Sequence, residues 1–399
     1  MELTWRSRNA MRKTTTRMAD GRELIYFDDS EPYASGKATR RLDDPRPLPD
    51  RFESMSAGPQ MRQCPLTGEW IPMATHRMNR TFLPPADANP LAPARPGAEY
   101  QDGEVPDTDY DVVVFENRFP SLLAVPGEDT GIVHVDGEEL FAAAPAAGRC
   151  EVICFGPRLE ENLVDMGPKR MRTVIEAWAD RTRELSELEG IKQVFCFENH
   201  GEEIGVTLHH PHGQIYAYPY IPPRTAAMLQ RATAYRHATG RQLHEDVLAA
   251  ELRAGTRILA EGEHWVLYVP VAAKWPIEAH LVPRRNVPDL AALNEDKKSE
   301  LSHMYLDLLA AGNYFFADKV GKLNMPYIAS WNQSVIGPGR EDLRLYLQYF
   351  SFLRSPGKLK YLAGSESGMG AWISDTSPEN IAERFRSALA LASAERPTR

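Results

Sequence analysis

The chain has 399 residues, of which 43% are hydrophobic and 25% charged, which fits one large or two ordinary domains and excludes a single small module. Its formal net charge of −9 argues against a nucleic-acid partner, because phosphate backbones are bound mainly by clustered Lys and Arg. No apolar run reaches the roughly 18 residues of a membrane span, and the polar segment from Met1 to Asp20 lacks the apolar core of a signal peptide. We therefore expect a cytoplasmic protein with no nucleic-acid or membrane partner.

Residues 1–60 are polar and rich in proline, most densely from Arg40 to Pro49. This composition predicts an irregular N-terminal arm. The four cysteines of the chain form no C-x-x-C pair, and three of them lie within apolar, strand-like runs. Buried free thiols are the reading that this pattern favours, with a disulfide as the alternative.

A first domain is predicted over residues 61–221. Strand-like runs occur at residues 110–115, 151–155 and 193–197. A helix is predicted between the last two, because Met171, Val174, Ile175 and Trp178 recur with helical spacing. The pattern indicates a domain that mixes helices with a sheet.

A second domain is predicted over residues 222–399. Two further strand-like runs, residues 265–269 and 278–282, precede a helix predicted over residues 294–315. A last helix is expected to begin at Ser377-Pro378-Glu379, since proline is favoured in the first turn of a helix.

The densest cluster of reactive side chains is His209-His210-Pro211-His212-Gly213-Gln214, directly before the strand-like residues 215–218. In an extended segment side chains alternate, so His210, His212 and Gln214 are expected on one face. This spacing suits a nucleophilic imidazole beside an amide donor. Two alternatives are a histidine-rich surface loop and a metal site built on His209, His210 and His212.

Histidine is a suitable nucleophile because neutral imidazole attacks phosphorus near pH 7 and the resulting phosphoramidate can pass its group on. The reaction then divides into two half-reactions. A sugar phosphate leaves as a stable anion and needs no strong general acid, so Gln214 can suffice by donating a hydrogen bond to a phosphoryl oxygen.

The run His210-Pro211-His212-Gly213-Gln214 resembles the active-site signature of the galactose-1-phosphate uridylyltransferases, the transferase branch of the histidine-triad superfamily. The likeness extends over nearly the whole chain. Its other matching parts are residues 65–70, His76, Arg77, Arg80, and residues 114–120, 197–201, 205–207, 263–265, 358–361 and 364–366.

The resemblance implies that His212 is the nucleophile, that the backbone carbonyl of His210 orients it, and that Gln214 stabilises the transferred phosphoryl group. It also implies substrate contacts at the phosphates, the uridine and the sugar. The residues implied at the phosphates are Arg77, Arg80, Asn199 and Thr207. Those implied at the uridine are Phe115 and Asn117, and those implied at the sugar are Lys360 and Glu366. On sequence grounds alone, Arg77 and Arg80 could be surface cations and Phe115 a core residue.

The fold implied by the resemblance is α+β, with two histidine-triad-like domains, each an open antiparallel sheet, or half-barrel, flanked by helices. The implied reaction moves UMP from UDP-glucose to galactose 1-phosphate through a uridylyl-histidine, and a homodimer is expected. Two alternatives stay open. One is a related nucleotidylyltransferase or phosphorylase for another nucleotide or sugar, such as an ADP-sugar, and the other is a catalytically inactive binding homologue.

Many members of this family bind structural zinc or iron through a C-x-x-C pair and histidines. Here Asn89 and Ala92 stand in place of the cysteines, and Asn332, Tyr346 and Gln348 stand at the later ligand positions. Amides and a phenol are poor ligands for these metals compared with thiolate and imidazole. We therefore expect no cofactor, with the structural metal of the family lost.

Overall fold

A computed structural model of the protein describes residues 11–46, 58–74, 89–94, 103–124 and 131–395. The helices of this part are α1 (Leu163–Ser186), α2 (Pro223–Thr239), α3 (Leu243–Ala254), α4 (Glu295–Tyr314), α5 (Ala317–Val320), α6 (Gly364–Met369) and α7 (Pro378–Glu395). Its strands are β1 (Arg12–Arg17), β2 (Glu23–Asp28), β3 (Gln60–Gln63), β4 (Trp70–Met73), β5 (Val112–Glu116), β6 (Val133–His134), β7 (Ala142–Pro145), β8 (Arg149–Cys154), β9 (Gln193–His200), β10 (His212–Tyr218), β11 (Ile258–Glu261), β12 (Trp265–Tyr268), β13 (Ile277–Pro283), β14 (Tyr327–Asn332), β15 (Tyr346–Ser351), β16 (Leu353–Ser355) and β17 (Lys358–Leu359).

One antiparallel sheet of 11 strands dominates the molecule, in the order β1-β2-β5-β8-β10-β9-β14-β15-β13-β12-β11. The first six strands in this order precede residue 222 and the last five follow it. The two halves join where β9 pairs with β14, with Phe197 opposite Ser330. The predicted α+β fold is confirmed, and the two expected half-sheets meet edge to edge. The division at residue 222 into domains stays a prediction.

The prediction of an irregular arm over residues 1–60 is wrong for residues 12–28, where two strands form, whereas residues 29–46 contain neither helix nor strand. Strands β1 and β2 pair with each other, and β2 also pairs with β5 of the main sheet. The reason lies in β2, whose run from Leu24 to Phe27 is entirely buried. Burial of these four large side chains stabilises the strand strongly. The average composition of the segment is polar, so it does not reveal this short apolar run.

One face of the sheet is covered by α1, α4 and α7. Helix α1 is capped at its N-terminus by Asn162, whose side chain accepts hydrogen bonds from the backbone N–H groups of Val164 and Asp165. The predicted face of this helix is confirmed, since Met171, Val174, Ile175 and Trp178 are all buried. The ring of Trp178 packs near Tyr305 of α4 and Trp331 of β14, so this core bridges both halves of the sheet.

The opposite face of the sheet differs between the halves. In the C-terminal half it is covered by α2 and α3, where Met228 and Leu248 pack against Tyr268, Val282 and Tyr346. In the N-terminal half, the polar side chains of β10 project from that face. We call the part of this face around β10 the open face; over β2, β5 and β8 the same face is covered by Leu91, Val105 and Tyr110.

All four cysteines are free thiols, as predicted: Cys150, Cys154 and Cys196 are buried and Cys64 is partly exposed. Among the described helices, none combines the length and apolar character needed to cross a bilayer.

Candidate active site

Strand β10 carries His212 and Gln214 and is the fifth of the six strands in the N-terminal half-sheet. It is paired on both sides, with His212 opposite Cys154 of β8 and Gln214 between Val152 of β8 and Phe197 of β9. The alternate residues Ile215 and Ala217 are buried in the core that contains α1. Because side chains alternate along a strand, His212 and Gln214 lie on the open face.

Gly213 allows the neighbouring strands to pack tightly at the site. A Cβ atom there would lie 2.8 Å from the carbonyl oxygen of Phe197 and 3.0 Å from the ring of Phe155. Only a residue without a side chain fits between His212 and Gln214 without moving these neighbours.

The imidazole of His212 is oriented by the backbone two residues before it. Its Nδ1 lies 2.7 Å from the carbonyl oxygen of His210, so Nδ1–H donates and Nε2 carries the lone pair. Burial lowers the pKa of His212 below its usual range, more than the hydrogen bond to the His210 carbonyl raises it. The ring is therefore neutral at pH 7, and Nε2 has no hydrogen-bond partner among the described residues.

The amide of Gln214 is oriented by Tyr216, the next residue on the same face. The Tyr216 hydroxyl donates to Gln214 Oε1 at 3.0 Å. This contact leaves the Nε2 donor of Gln214 without an acceptor in the described part of the chain. A lone pair on His212 and an N–H on Gln214 thus lie two residues apart on one strand face, as attack on a phosphoryl group requires.

His210 contributes its backbone to the site, whereas its side chain is enclosed. The ring is 2% exposed, with Nδ1 3.0 Å from Asn89 Nδ2 and Nε2 2.8 Å from the carbonyl oxygen of Gly156. Burial lowers the pKa of His210 to about 4. The carbonyl has the position that the predicted orienting role requires, and the ring is not presented to a substrate.

Two of the four residues predicted to contact the phosphates lie in the described part of the chain. Asn199 lies two residues beyond Phe197 on β9, opposite Ile328 of β14, so alternation along the strand sets it on the same face as Phe197 and Gln214. Thr207 lies in the loop between β9 and β10, and its side chain is partly exposed. Arg77 and Arg80 lie outside the described residues.

The two residues predicted at the uridine differ in exposure. Asn117 follows β5, and its side chain accepts a hydrogen bond from the backbone N–H of Phe119 at 2.9 Å. Phe115 is 2% exposed and belongs to an apolar cluster with Tyr26, Val113 and Val152. The structure therefore places Phe115 in the core, the alternative that its apolar strand suggests.

Comparison with known proteins agrees with this geometry. Residues 50–222 match the galactose-1-phosphate uridyl transferase N-terminal domain, and residues 228–394 match the C-terminal domain of the same family. A protein from Streptomyces lividans named galactose-1-phosphate uridylyltransferase is 42% identical over 94% of this chain and 98% of its own length. The chain belongs to the galactose-1-phosphate uridylyltransferase family. The family predicted from the motifs is thus confirmed.

More distant proteins are also similar to this chain. A Thermotoga maritima protein named galactose-1-phosphate uridylyltransferase is 29% identical over 82% of this chain and 98% of its own length. A solved uridylyltransferase structure has 30% identity and a TM-score of 0.71, and the match covers 83% of this chain and 99% of that one. An ADP-glucose phosphorylase structure from Arabidopsis thaliana, with 21% identity and a TM-score of 0.60 over 82% of this chain and 98% of that one, shares the fold.

The residues that the family comparison suggests at the sugar are bonded within their own segment. Lys360 Nζ donates to Asp375 Oδ2 at 2.9 Å and to the carbonyl oxygen of Ile373 at 2.6 Å, and lies 3.6 Å from Glu366 Oε1. Lys360 and Glu366 are both buried. Neither bonds to a described residue of β10, so their contact with a sugar stays a prediction.

Tyr346 and Gln348, two of the positions that the resemblance assigns to the family's metals, carry hydrogen-bonded side chains. Gln348 accepts from Arg224 Nη1 at 2.6 Å and donates to Glu278 Oε1 at 2.6 Å, and Tyr346 OH lies 3.4 Å from Arg224 Nη2. A guanidinium in this position repels a metal cation. In the described part of the chain, no group of three or more His, Cys, Asp or Glu side chains could hold a metal ion. The described residues at these positions are poor ligands for zinc or iron, and the loss of the family's metal stays a prediction.

Two residues of the site escaped prediction. Tyr216 could have been found, because it follows Gln214 by two positions and so shares its face. Tyr110 could not have been found from local sequence. Its hydroxyl lies 2.7 Å from Nε2 of His210, a residue 100 positions away in the chain, and no local pattern indicates that contact.

Proposed function

We propose that the protein transfers UMP from UDP-glucose to galactose 1-phosphate by a ping-pong reaction through a uridylyl group on His212. The observation that carries the proposal is the His212 Nε2 lone pair beside the Gln214 amide donor on the open face. Family membership supports the substrates, since the relatives that match most of this chain are named galactose-1-phosphate uridylyltransferase.

In the first half-reaction, Nε2 of His212 attacks the α-phosphorus of UDP-glucose. A nitrogen–phosphorus bond forms, the bond to the bridging oxygen breaks, and glucose 1-phosphate leaves with the electron pair of that bond. The Nδ1 proton stays with the ring and binds the His210 carbonyl, which stabilises the positive charge that develops on the imidazole. The Gln214 amide donates to a non-bridging oxygen as negative charge builds there.

In the second half-reaction, a phosphate oxygen of galactose 1-phosphate attacks the same phosphorus. The nitrogen–phosphorus bond breaks, its electron pair returns to Nε2, and UDP-galactose leaves. His212 is then neutral again with its proton still on Nδ1. Because one site serves both half-reactions, glucose 1-phosphate must leave before galactose 1-phosphate binds.

An exchange assay tests which nucleotide the protein uses. We expect the protein to exchange labelled glucose 1-phosphate into UDP-glucose, and to do so much more slowly with ADP-glucose. Measuring both exchange rates at matched concentrations distinguishes the uridylyltransferase from the ADP-sugar alternative. Faster exchange with ADP-glucose would contradict the proposed substrate, and the absence of exchange with either would favour the inactive homologue.

We also propose that the protein folds without the structural zinc or iron of the family. The support is the bonding of Gln348 to Arg224 and Glu278 and of Asn89 to His210 at the positions concerned. Elemental analysis after dialysis is expected to find less than one zinc or iron per chain. Near-stoichiometric metal, together with a lower melting temperature after chelation, would contradict this expectation.

A homodimer and a cytoplasmic location remain proposals of the same kind. The dimer is supported by exposed apolar side chains in residues 361–373, where Tyr361 is 79% exposed and Met369 83%. Large apolar patches on a surface commonly mark contacts with another chain. The ring of Trp372 in this segment packs edge-on against that of Trp275, with the centroids 4.7 Å apart, which holds the segment against the fold.

A further inference from the structure

The ring of His210 lies in a closed circuit of hydrogen bonds that connects three parts of the chain. Asn89 Nδ2 donates to His210 Nδ1 at 3.0 Å, and His210 Nε2 donates to the hydroxyl oxygen of Tyr110 at 2.7 Å. That hydroxyl donates to the carbonyl oxygen of Leu91 at 2.9 Å, and the N–H of Leu91 donates to Asn89 Oδ1 at 3.0 Å.

The circuit determines a single protonation state for His210. The N–H of Leu91 binds Asn89 Oδ1, so the amide presents Nδ2–H to the ring, and Nδ1 must accept. The proton therefore sits on Nε2, which also faces the carbonyl oxygen of Gly156 at 2.8 Å. Asn89 and Tyr110 are 5% and 2% exposed, so water does not compete for these bonds.

We propose that Asn89 and Tyr110 are positioning residues for uridylyl transfer, acting through His210 on the nucleophile His212. The inference rests on the proposed function. The circuit holds the His210 ring, the ring holds its own backbone, and the carbonyl of that backbone accepts from His212 Nδ1 at 2.7 Å. A shift of His210 thus moves His212 Nε2 away from the line of attack on phosphorus. Misplacement by about 1 Å costs about 10²-fold in rate.

The first test compares variants with a matched control. In Asn89→Ala and Asn89→Asp, we expect single-turnover release of glucose 1-phosphate at saturating UDP-glucose and pH 8 to fall by about 10–10²-fold. The affinity for UDP-glucose should change little. In Tyr110→Phe the fall should be smaller, because the Gly156 carbonyl still accepts from Nε2. The control is Asn313→Ala, a buried amide in α4 that binds the N–H of Met325 and should affect melting temperature without affecting the rate.

A pH profile separates positioning from a general loss of stability. In Asn89→Asp, the carboxylate accepts where the amide donated, which favours a doubly protonated His210 ring and raises the pKa of that group. We expect the rate of this variant to recover toward the parent at pH 6 and to fall behind it at pH 8. The neighbouring titratable groups are Tyr110 and Cys154, whose pKa values burial raises, and His212, whose pKa burial lowers. The parent carries the same three groups, so the ratio of the variant rate to the parent rate at each pH isolates the effect of residue 89.

A spectroscopic measurement gives an independent decision. In ¹⁵N-histidine-labelled protein, with the His210 signal assigned from His210→Asn, the parent should hold a neutral ring protonated on Nε2 from pH 6 to 8. Asn89→Asp should gain a second ring proton within that range. The proposal would be overturned if both Asn89 variants react at the parental rate, or if the rate deficit of Asn89→Asp does not change with pH. Another tautomer of His210 in the parent would overturn it as well. If the parent releases no glucose 1-phosphate, the proposed function fails, and the spectra still decide whether Asn89 donates to His210.

Discussion

Incubation with UDP-glucose alone is expected to release glucose 1-phosphate and to leave one uridylyl group on His212. The physical reason is that His212 presents a neutral, oriented lone pair, because its Nδ1–H is bound by the His210 carbonyl and burial lowers its pKa. His212→Ala should abolish the labelling, with a loss of turnover on the order of 10⁶-fold, as in other enzymes that lose their nucleophile. Intact mass and peptide mapping measure the group and its position.

The chemistry of the label provides a second criterion. A phosphoramidate is labile in acid and stable in base, and galactose 1-phosphate should discharge it as UDP-galactose. The labelling rate should fall only as the pH drops below the ordinary histidine range, because burial lowers the pKa of His212.

The neighbouring histidine supplies the matched control for this experiment. His209 is half-exposed and pairs with Glu202 at 3.2 Å, away from the catalytic hydrogen bonds. His209→Ala should therefore be labelled like the parent, and His210→Ala should be impaired less completely than His212→Ala, because its backbone carbonyl remains. A uridylyl group on any other residue, or kinetics that require both substrates bound together, would refute the mechanism.

The nucleophile could be predicted from the sequence because its determinants are local. Alternation along β10 sets His212 beside Gln214, and Gly213 marks the close packing of the strands. Helix α1 was predictable for the same reason, since its buried residues recur within a few turns. Local periodicity carries this information directly.

Other features depend on contacts between distant residues and have no local signal. Asn89 and His210 lie 121 residues apart, and neither pattern around them predicts their hydrogen bond. The join between the half-sheets depends on the pairing of β9 with β14, which local patterning does not specify. The bonding of Lys360 within its own segment likewise depends on Asp375, 15 residues away.

Gln214→Ala is expected to slow uridylyl transfer by about 10²–10³-fold, with a smaller effect on the Michaelis constant for UDP-glucose. The reason is that the amide donates most strongly when charge has built on the non-bridging oxygen, so its loss affects the transition state more than the bound substrate. The amide is oriented for this role by the Tyr216 hydroxyl at 3.0 Å from Oε1. Single-turnover and steady-state rates, measured with UDP-glucose and with galactose 1-phosphate, test both half-reactions.

A second substitution distinguishes the hydrogen-bond donor of the Gln214 amide from the size of its side chain. Gln214→Glu keeps the length of the side chain but replaces the donor with a carboxylate that repels the phosphate, so it should be at least as slow as Gln214→Ala. Gln63→Ala removes a partly exposed glutamine from β3, which lies outside the 11-stranded sheet. This variant should react like the parent, since the Gln63 amide binds only the carbonyl of Gly68 among the described residues. A Gln214→Ala enzyme with unchanged turnover and a raised Michaelis constant would make Gln214 a ground-state binder, because a lost transition-state contact lowers the rate at saturation.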